Sequence, residues 1–183
     1  NNAIKQNFNS MKKLLIALAA AFMMLPLFST NANAQGIHYQ GDASLGYAFG
    51  TGKFNVNRFN ITTTHGVRIN QYLFAGAGTG FNFYSSDGES LTFMPVYLSA
   101  KGYYPLTDNL NLIGSLDLGK GFCLDKDTDD ASGFYCYPHV GVEFPIANRF
   151  GLDCTIGYHH QSVSKEGISV NMDAIAFKVS FSW

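Results

Sequence analysis

The feature that most constrains this sequence is an alternation of apolar and polar residues with a period of two, which recurs along residues 37–183. In the last such stretch every odd-numbered residue from Ile175 to Trp183 is apolar, whereas Lys178 and Ser180 stand between them. Successive side chains of a β-strand point to opposite faces, so this pattern predicts strands with one apolar face and one polar face. Eight stretches of this kind predict eight strands.

The connections between the predicted strands alternate in length. Short turns are predicted at residues 70–71, 105–109 and 145–149, and longer polar loops at 50–57, 85–91, 122–133 and 162–171. This alternation is typical of an up-and-down outer-membrane barrel. We therefore predict an all-β fold, an eight-stranded antiparallel up-and-down transmembrane β-barrel. A water-soluble barrel or sandwich is the alternative, but the apolar face is nearly continuous and carries aromatic residues at its ends, which favours contact with lipid.

Composition excludes two other classes of protein. Only 14% of the residues are charged and 15% are aromatic, whereas disordered chains are highly charged and poor in aromatic residues. The formal net charge of −1 argues against a polybasic protein that binds nucleic acid by releasing counterions.

The first 34 residues have the layout of a secretory leader. A basic start at Met11–Lys13 precedes the apolar run Leu14–Leu27, and the small-residue site Ala32-Asn33-Ala34 follows. We therefore predict that residues 1–10 are an upstream extension that is not part of the protein. Residues 11–34 are predicted to be a cleaved signal peptide, and residues 35–183 the barrel domain.

The alternating C-terminal strand, which ends Phe181-Ser182-Trp183, resembles that of small bacterial outer-membrane barrels of the OmpA-domain or OmpX type, in the porin family. The resemblance extends over residues 35–183 as a pattern of strands. It implies a protein of the outer membrane of a Gram-negative bacterium, in contact with membrane lipid and lipopolysaccharide. It also implies that the barrel-assembly machinery reads the C-terminal strand. No nucleic-acid partner and no cofactor are expected, and the sequence does not identify an extracellular loop partner.

The polar faces carry four basic and four acidic residues, which are predicted to point into the barrel as a balanced charge network. These residues are Asp42, Arg58, Arg68, Lys101, Asp117, Glu143, Asp153 and Lys178. Eight strands enclose only enough space for their own side chains. We therefore expect a side-chain-filled interior and a non-enzymatic protein with a structural or surface-interaction role in the cell envelope. A small-solute channel stays open as an alternative.

A second alternative is an enzyme. His160, Ser162 and Asp173 fall on the apolar, outward face, and a serine nucleophile needs a base that a carboxylate orients. This arrangement resembles the outer-membrane lipid A 3-O-deacylases, which are eight-stranded barrels with a His-x-Ser pair and an acidic partner on the lipid-facing wall. The resemblance implies that His160 is the base, Ser162 the nucleophile and Asp173 the orienting acid of an esterase. The chain departs from the family at Val163, where Asn is usual, and at Asp173, where Glu is usual. The other interpretation places these residues in a polar rim and at loop ends.

The loop at residues 125–130 carries acidic residues at alternate positions, Asp125, Asp127 and Asp129. This spacing is found in calcium loops, but the positions of the obligatory Gly and Glu are occupied by Asp130 and Cys136, which excludes an EF-hand. Weak binding of divalent cations and a solvated acidic loop both stay open. Cys123 and Cys136 flank this loop, and export to an oxidising compartment would permit a disulfide between them.

Overall fold

The computed structural model describes residues 36–51, 56–86, 89–125, 132–147, 150–165 and 168–183. The predicted upstream extension and signal peptide lie outside these residues. The eight strands are β1 (Ile37–Thr51), β2 (Asn57–Ile69), β3 (Leu73–Ser86), β4 (Glu89–Thr107), β5 (Leu110–Cys123), β6 (Ser132–Ala147), β7 (Phe150–Lys165) and β8 (Ile168–Ser182). Within the described residues, no helix has the length and hydropathy needed to cross a membrane.

Each strand pairs antiparallel with the next, and β8 pairs with β1 to close the barrel. The predicted eight-stranded up-and-down barrel is therefore confirmed. At the seam between β1 and β8, Asp42 lies opposite Ser182, and Gly41 and Trp183 exchange two backbone hydrogen bonds of 3.0 Å. Closure leaves no strand edge with unpaired backbone groups, which is the condition for β-structure in a hydrocarbon environment.

The two faces of the sheet have the polarity that the alternation predicts. Large apolar residues point outward and remain exposed, with Leu98 and Tyr104 at 71% and 66%. Polar and charged residues point inward and are buried, as are the tyrosines Tyr97, Tyr103, Tyr135 and Tyr137. The polar side of the sheet therefore faces the interior of the barrel, here called the lumen.

The strands run further than predicted at one end of the barrel. We call the end with the β2–β3, β4–β5 and β6–β7 connections the turn end, and the opposite end the loop end. At the loop end β3 continues to Ser86 and β4 begins at Glu89, so most of the long loop predicted at 85–91 is strand. Likewise β7 continues to Lys165 and β8 begins at Ile168, inside the loop predicted at 162–171. The sequence did not reveal these extensions because a strand that extends beyond the lipid meets water on its outer face and loses the alternation.

Candidate functional site

All eight charged residues predicted for the interior point into the lumen. Seven of them are less than 9% exposed, and the side chain of Arg68 is 14% exposed. Such burial is costly for an ion unless another charge or several hydrogen bonds compensate it. The pairing of these residues is therefore the main feature of the interior.

One ion pair crosses the full width of the lumen near the turn end. The two terminal nitrogens of Arg68, on β2, lie 3.1 and 3.3 Å from the two carboxylate oxygens of Glu143 on β6, the strand opposite β2 in the ring. Asn111 donates a further bond of 2.6 Å to Glu143, and the guanidinium of Arg68 lies 3.8 Å from the ring centre of Tyr103. This two-point geometry is the strongest form of an arginine–carboxylate contact.

Two further ion pairs join strands that are three apart in the ring. The ammonium of Lys101, on β4, lies 2.6 Å from Asp42 on β1. Lys178, on β8, lies 3.9 Å from Asp117 on β5, and Asp117 also accepts a 2.6 Å bond from the hydroxyl of Ser99. These side chains therefore reach across the lumen at several levels between its two ends.

The remaining two charged residues, Arg58 and Asp153, do not form an ion pair with each other. Arg58 contacts a ring nitrogen and the carbonyl oxygen of His159, and it donates to the hydroxyl of Tyr84 and to the carbonyl oxygen of Met172. Asp153 lies on β7 six residues before His159, roughly 20 Å away along the strand at about 3.3 Å per residue. One carboxylate oxygen of Asp153 has no hydrogen-bond partner among the described residues.

Aromatic and apolar side chains share the rest of the lumen with uncharged polar side chains. The rings of Tyr97 on β4 and Tyr135 on β6 stack with their centres 5.4 Å apart, and the hydroxyl of Tyr97 lies 3.1 Å from that of Thr64 on β2. Closer to the loop end lies an apolar cluster, here called the loop-end plug. Its buried members are Tyr84, Phe93, Cys123 and Met172, with Val56, Val163 and Val170 packed against them.

The outward face brings together two of the three residues predicted for an esterase. His160 and Asp173 are partners across the β7–β8 pair, and Nδ1 of His160 lies 2.6 Å from a carboxylate oxygen of Asp173. Each side chain is 28% exposed. Ser162 follows two residues later on β7, and its hydroxyl oxygen accepts a 2.8 Å bond from the backbone N–H of Phe134 on β6. The histidine and its acid are therefore in contact, and the serine hydroxyl is engaged by the neighbouring strand.

A second outward polar cluster was missed by the sequence interpretation. His65 on β2 has one ring nitrogen 2.5 Å from the hydroxyl of Tyr39 and the other 3.0 Å from the hydroxyl of Thr63, and the indole of Trp183 covers it edge-on. Gly41 makes room for that indole, since a Cβ there would lie 2.6 Å from an atom of the Trp183 ring. The available signal was two polar residues, Thr63 and His65, on an otherwise apolar face.

The structure does not join Cys123 to Cys136. Cys136 pairs with Leu118, five residues before Cys123 on β5, because the β5–β6 hairpin is not centred between the two cysteines. Cys123 also points into the loop-end plug, whereas Cys136 lies on the outward face. The suggested disulfide is therefore corrected, since the bond requires Cα atoms no more than about 7 Å apart and facing Cβ atoms.

Of the acidic loop, only Asp125 lies within the described residues. Its carboxylate accepts a 2.7 Å bond from the backbone N–H of Thr92, and Asp127 and Asp129 lie outside the described residues. Among the side chains that the structure describes, no group of three or more His, Cys, Asp or Glu residues could hold a metal ion.

Comparison with known proteins supports the fold. No protein-family model matches the sequence, and no curated protein sequence matches it either. Among solved structures, the chain is similar to Neisserial surface protein A, with a TM-score of 0.61 and 16% identity over 82% of this chain and 98% of that chain. It is also similar to outer membrane protein W of E. coli, with a TM-score of 0.53 and 11% identity over 83% and 99%. The chain thus has the fold of small eight-stranded outer-membrane barrels.

Proposed function

We propose that this protein is a non-enzymatic outer-membrane barrel with a sealed interior, which anchors its loop-end connections at the cell surface for a structural or interaction role. The proposal rests chiefly on the ion pairs that cross the lumen, above all Arg68–Glu143 between opposite strands. A pathway for solutes would have to break this pair, the Lys101–Asp42 pair and the Lys178–Asp117 pair. The stacked rings of Tyr97 and Tyr135 lie on the loop-end side of Asp117 and obstruct a further level of the lumen.

Location in the bacterial outer membrane is supported by the apolar outer wall and by the fold shared with outer-membrane proteins. The partners in this proposal are membrane lipid and lipopolysaccharide along the wall, and the barrel-assembly machinery at β8. Export through the predicted signal peptide is part of the same proposal. Membrane fractionation of the full chain, with sequencing of the mature N-terminus, is expected to recover it in the outer membrane beginning at Gln35.

Electrical recording tests the sealed interior. Purified barrel inserted into a planar lipid bilayer is expected to add no steady conductance over the bare membrane, whereas a general porin inserted in parallel supplies the positive control. A steady, voltage-independent conductance that scales with the number of inserted barrels would overturn the sealed interior and favour the small-solute channel.

The contact between His160 and Asp173 favours a second candidate function, an esterase that acts on an acyl chain of lipid A. A carboxylate 2.6 Å from Nδ1 of a histidine holds the ring with Nε2 free to act as a base. Ser162, two residues further on the same face, is the candidate nucleophile. In this function its hydroxyl would have to leave the backbone N–H of Phe134 for the histidine.

The mass of lipid A distinguishes the two functions. The full chain is expressed in a host of known lipid A structure, beside a Ser162→Ala variant. The non-enzymatic proposal expects identical lipid A in both strains and in the host alone. Loss of one ester-linked acyl chain with the unaltered protein, abolished by Ser162→Ala, would establish the esterase instead.

A further inference from the structure

Three chemically reactive side chains lie in one row across the outward face of the sheet. Cys136 on β6 pairs directly with His160 on β7, and His160 pairs directly with Asp173 on β8. Side chains that are directly opposite on adjacent strands and share a face have Cβ atoms about 4.5–5.5 Å apart. The row therefore places a thiol, an imidazole and a carboxylate side by side, in the order that a base-assisted nucleophile requires.

The histidine of this row presents its second nitrogen on the side of the cysteine. Its Nδ1 is held 2.6 Å from Asp173, so Nε2, on the far side of the ring, points away from β8 and toward the side of β6. The ring of His160 also lies beside that of Phe134 on β6, with the ring centres 6.2 Å apart. Because the sulfur of Cys136 turns about a single side-chain torsion, one rotamer change is enough to direct it at Nε2.

The thiol of Cys136 is available for reaction. It is a free thiol, half-buried on the outward face. Ser162 lies two residues further along β7, and its hydroxyl is engaged by the backbone N–H of Phe134. A thiol is also intrinsically more nucleophilic than a hydroxyl and ionises more readily. Cys136 is therefore the nucleophile that the strand register brings next to His160.

The row lies at the edge of the apolar wall. One row closer to the turn end, Phe49, Ile175 and Tyr158 point outward and are between 44% and 51% exposed. In the row itself Thr51 stands beside Asp173 on the seam strand. This change from apolar to polar side chains along the same strands indicates the level at which hydrocarbon gives way to headgroups and water. A molecule that rests at this level has an apolar body and a polar end.

We propose that Cys136 is a site of covalent modification by amphiphilic α,β-unsaturated carbonyl compounds, with His160 as the base and Asp173 as its positioning residue. His160 takes the thiol proton, the sulfur forms a bond to the β-carbon, and the electrons of the C=C bond move onto the carbonyl as an enolate. The imidazolium then returns the proton to the α-carbon. Atoms and electrons balance with no leaving group, oxidant or reductant.

Conjugate addition fits this position better than acyl transfer. In acyl transfer the negative charge develops on the oxygen of the carbon that the sulfur attacks, and hydrogen-bond donors are needed at that point. The backbone around the row is occupied in the β6–β7 and β7–β8 ladders. In conjugate addition the enolate oxygen lies two carbons further from the sulfur, so it can extend into the headgroups and water.

Reaction of the folded barrel with a long-chain enal tests the proposal. The full-length protein in phosphatidylcholine vesicles is treated with trans-2-dodecenal at pH 7, adducts are reduced with borohydride, and peptide masses give the rate at each cysteine. Cys136 is expected to react about tenfold faster than Cys154, which is outward and exposed but lies between Val142 and Val179. An ordinary thiol is only about 3% ionised at pH 7, which leaves room for an acceleration of this size.

His160→Asn separates the effect of the base from that of depth in the membrane. It is expected to slow Cys136 about tenfold at pH 7 and to leave Cys154 of the same molecule unchanged. The difference should narrow as the pH rises above about 8.5, where a thiol loses its proton without help. Asp173→Asn is expected to slow Cys136 by a smaller factor, with the same narrowing at high pH. In Cys136→Ser the fast adduct should be absent.

Equal rates at Cys136 and Cys154 would overturn the site, as would a rate at Cys136 that His160→Asn leaves unchanged at pH 7. The substrate class is tested with bis(2-hydroxyethyl) disulfide, each rate being divided by that of the same reagent with free glutathione. A larger ratio for the disulfide than for dodecenal would overturn conjugate addition in favour of disulfide exchange. None of these results bears on whether the lumen conducts or whether lipid A is altered, so the sealed-barrel proposal is tested separately.

Discussion

At the scale of single residues, the interior depends on charges whose partners lie on distant strands. Arg68 is the clearest case, because its guanidinium is bound at two points by Glu143 and has little access to water. Removing one member of a buried pair costs more than removing both, since the other charge is left without compensation.

Glu143→Ala is therefore expected to lower the free energy of unfolding by about 3–5 kcal/mol, and Glu143→Gln by less because the amide still accepts a hydrogen bond. Urea unfolding of the barrel in lipid vesicles, followed through the fluorescence of Trp183, measures both changes. Asp108→Ala serves as the control, since Asp108 is exposed in the β4–β5 turn and its loss should change stability by less than about 0.5 kcal/mol. Equal stabilities of Glu143→Ala and the control would contradict a structural role for the pair.

At the scale of strands, close contact between neighbours depends on glycine at a few positions. Gly119 on β5 is one of them, because a Cβ there would lie 2.0 Å from the carbonyl oxygen of Val96 and 2.6 Å from Cα of Tyr97. These are backbone atoms of β4, so they cannot move aside without shifting the strand. Gly114, on the same strand, has no atom within 4 Å of the corresponding position.

We expect Gly119→Ala to destabilise the barrel by about 1–3 kcal/mol, the usual cost of inserting a methyl group where there is no room. Gly114→Ala is the matched control and should leave stability unchanged or slightly improved, since alanine also restricts the unfolded chain. Paired urea titrations of the two variants in vesicles give the comparison. If both variants unfold at the wild-type urea concentration, the β4–β5 contact is looser than described.

The strand scale also shows what the sequence could and could not predict. Alternation identified all eight strands and the face to which the charged residues point, because the side chains of a strand can point only to one face of the sheet or the other. It did not predict that Arg68 meets Glu143 across the barrel, since that depends on the register of every intervening strand pair. Alternation also left open whether Cys123 and Cys136 meet, because the register of the hairpin sets both their spacing and the faces to which they point.

Local crowding and contacts between adjacent strands could be predicted in part from the sequence. The ring of Tyr97 lies where a Cβ on the inward Gly78 of β3 would fall, so glycine at that position is a local sign of a bulky neighbour. The contact of His160 with Asp173 required only that the two residues face outward on adjacent strands, so parity was enough to suggest it. The position of Ser162 against the backbone of Phe134 depends on the register of the β6–β7 pair, which the alternation of apolar and polar residues does not specify.

At the scale of the whole molecule, the apolar wall and the aromatic ends fix the depth of the barrel in a bilayer. Trp183 is the single tryptophan of the chain, and it follows β8 at the turn end, where aromatic residues favour the lipid headgroups. Leu98 is outward on β4 and is the most exposed of the large apolar residues, further from the turn end.

Quenching by brominated lipids measures these depths. Fluorescence of Trp183 is expected to be quenched most by bromine close to the headgroup and least by bromine deep in the acyl chain. In the double variant Trp183→Phe with Leu98→Trp, quenching should instead be strongest by bromine deep in the acyl chain and weakest by bromine close to the headgroup. Identical quenching profiles for the two proteins would mean that the barrel does not sit across the bilayer in the proposed orientation.

The ion pairs across the lumen have a consequence for biogenesis. Asp42 lies on the first strand and its partner Lys101 on the fourth. Asp117 lies on the fifth strand and its partner Lys178 on the last. A half-inserted, open sheet would expose these ions to hydrocarbon with their counter-ions not yet in reach. The chain therefore has to curl into a nearly complete cylinder before its hydrophilic side leaves water, so that membrane entry and completion of the ring are a single concerted event.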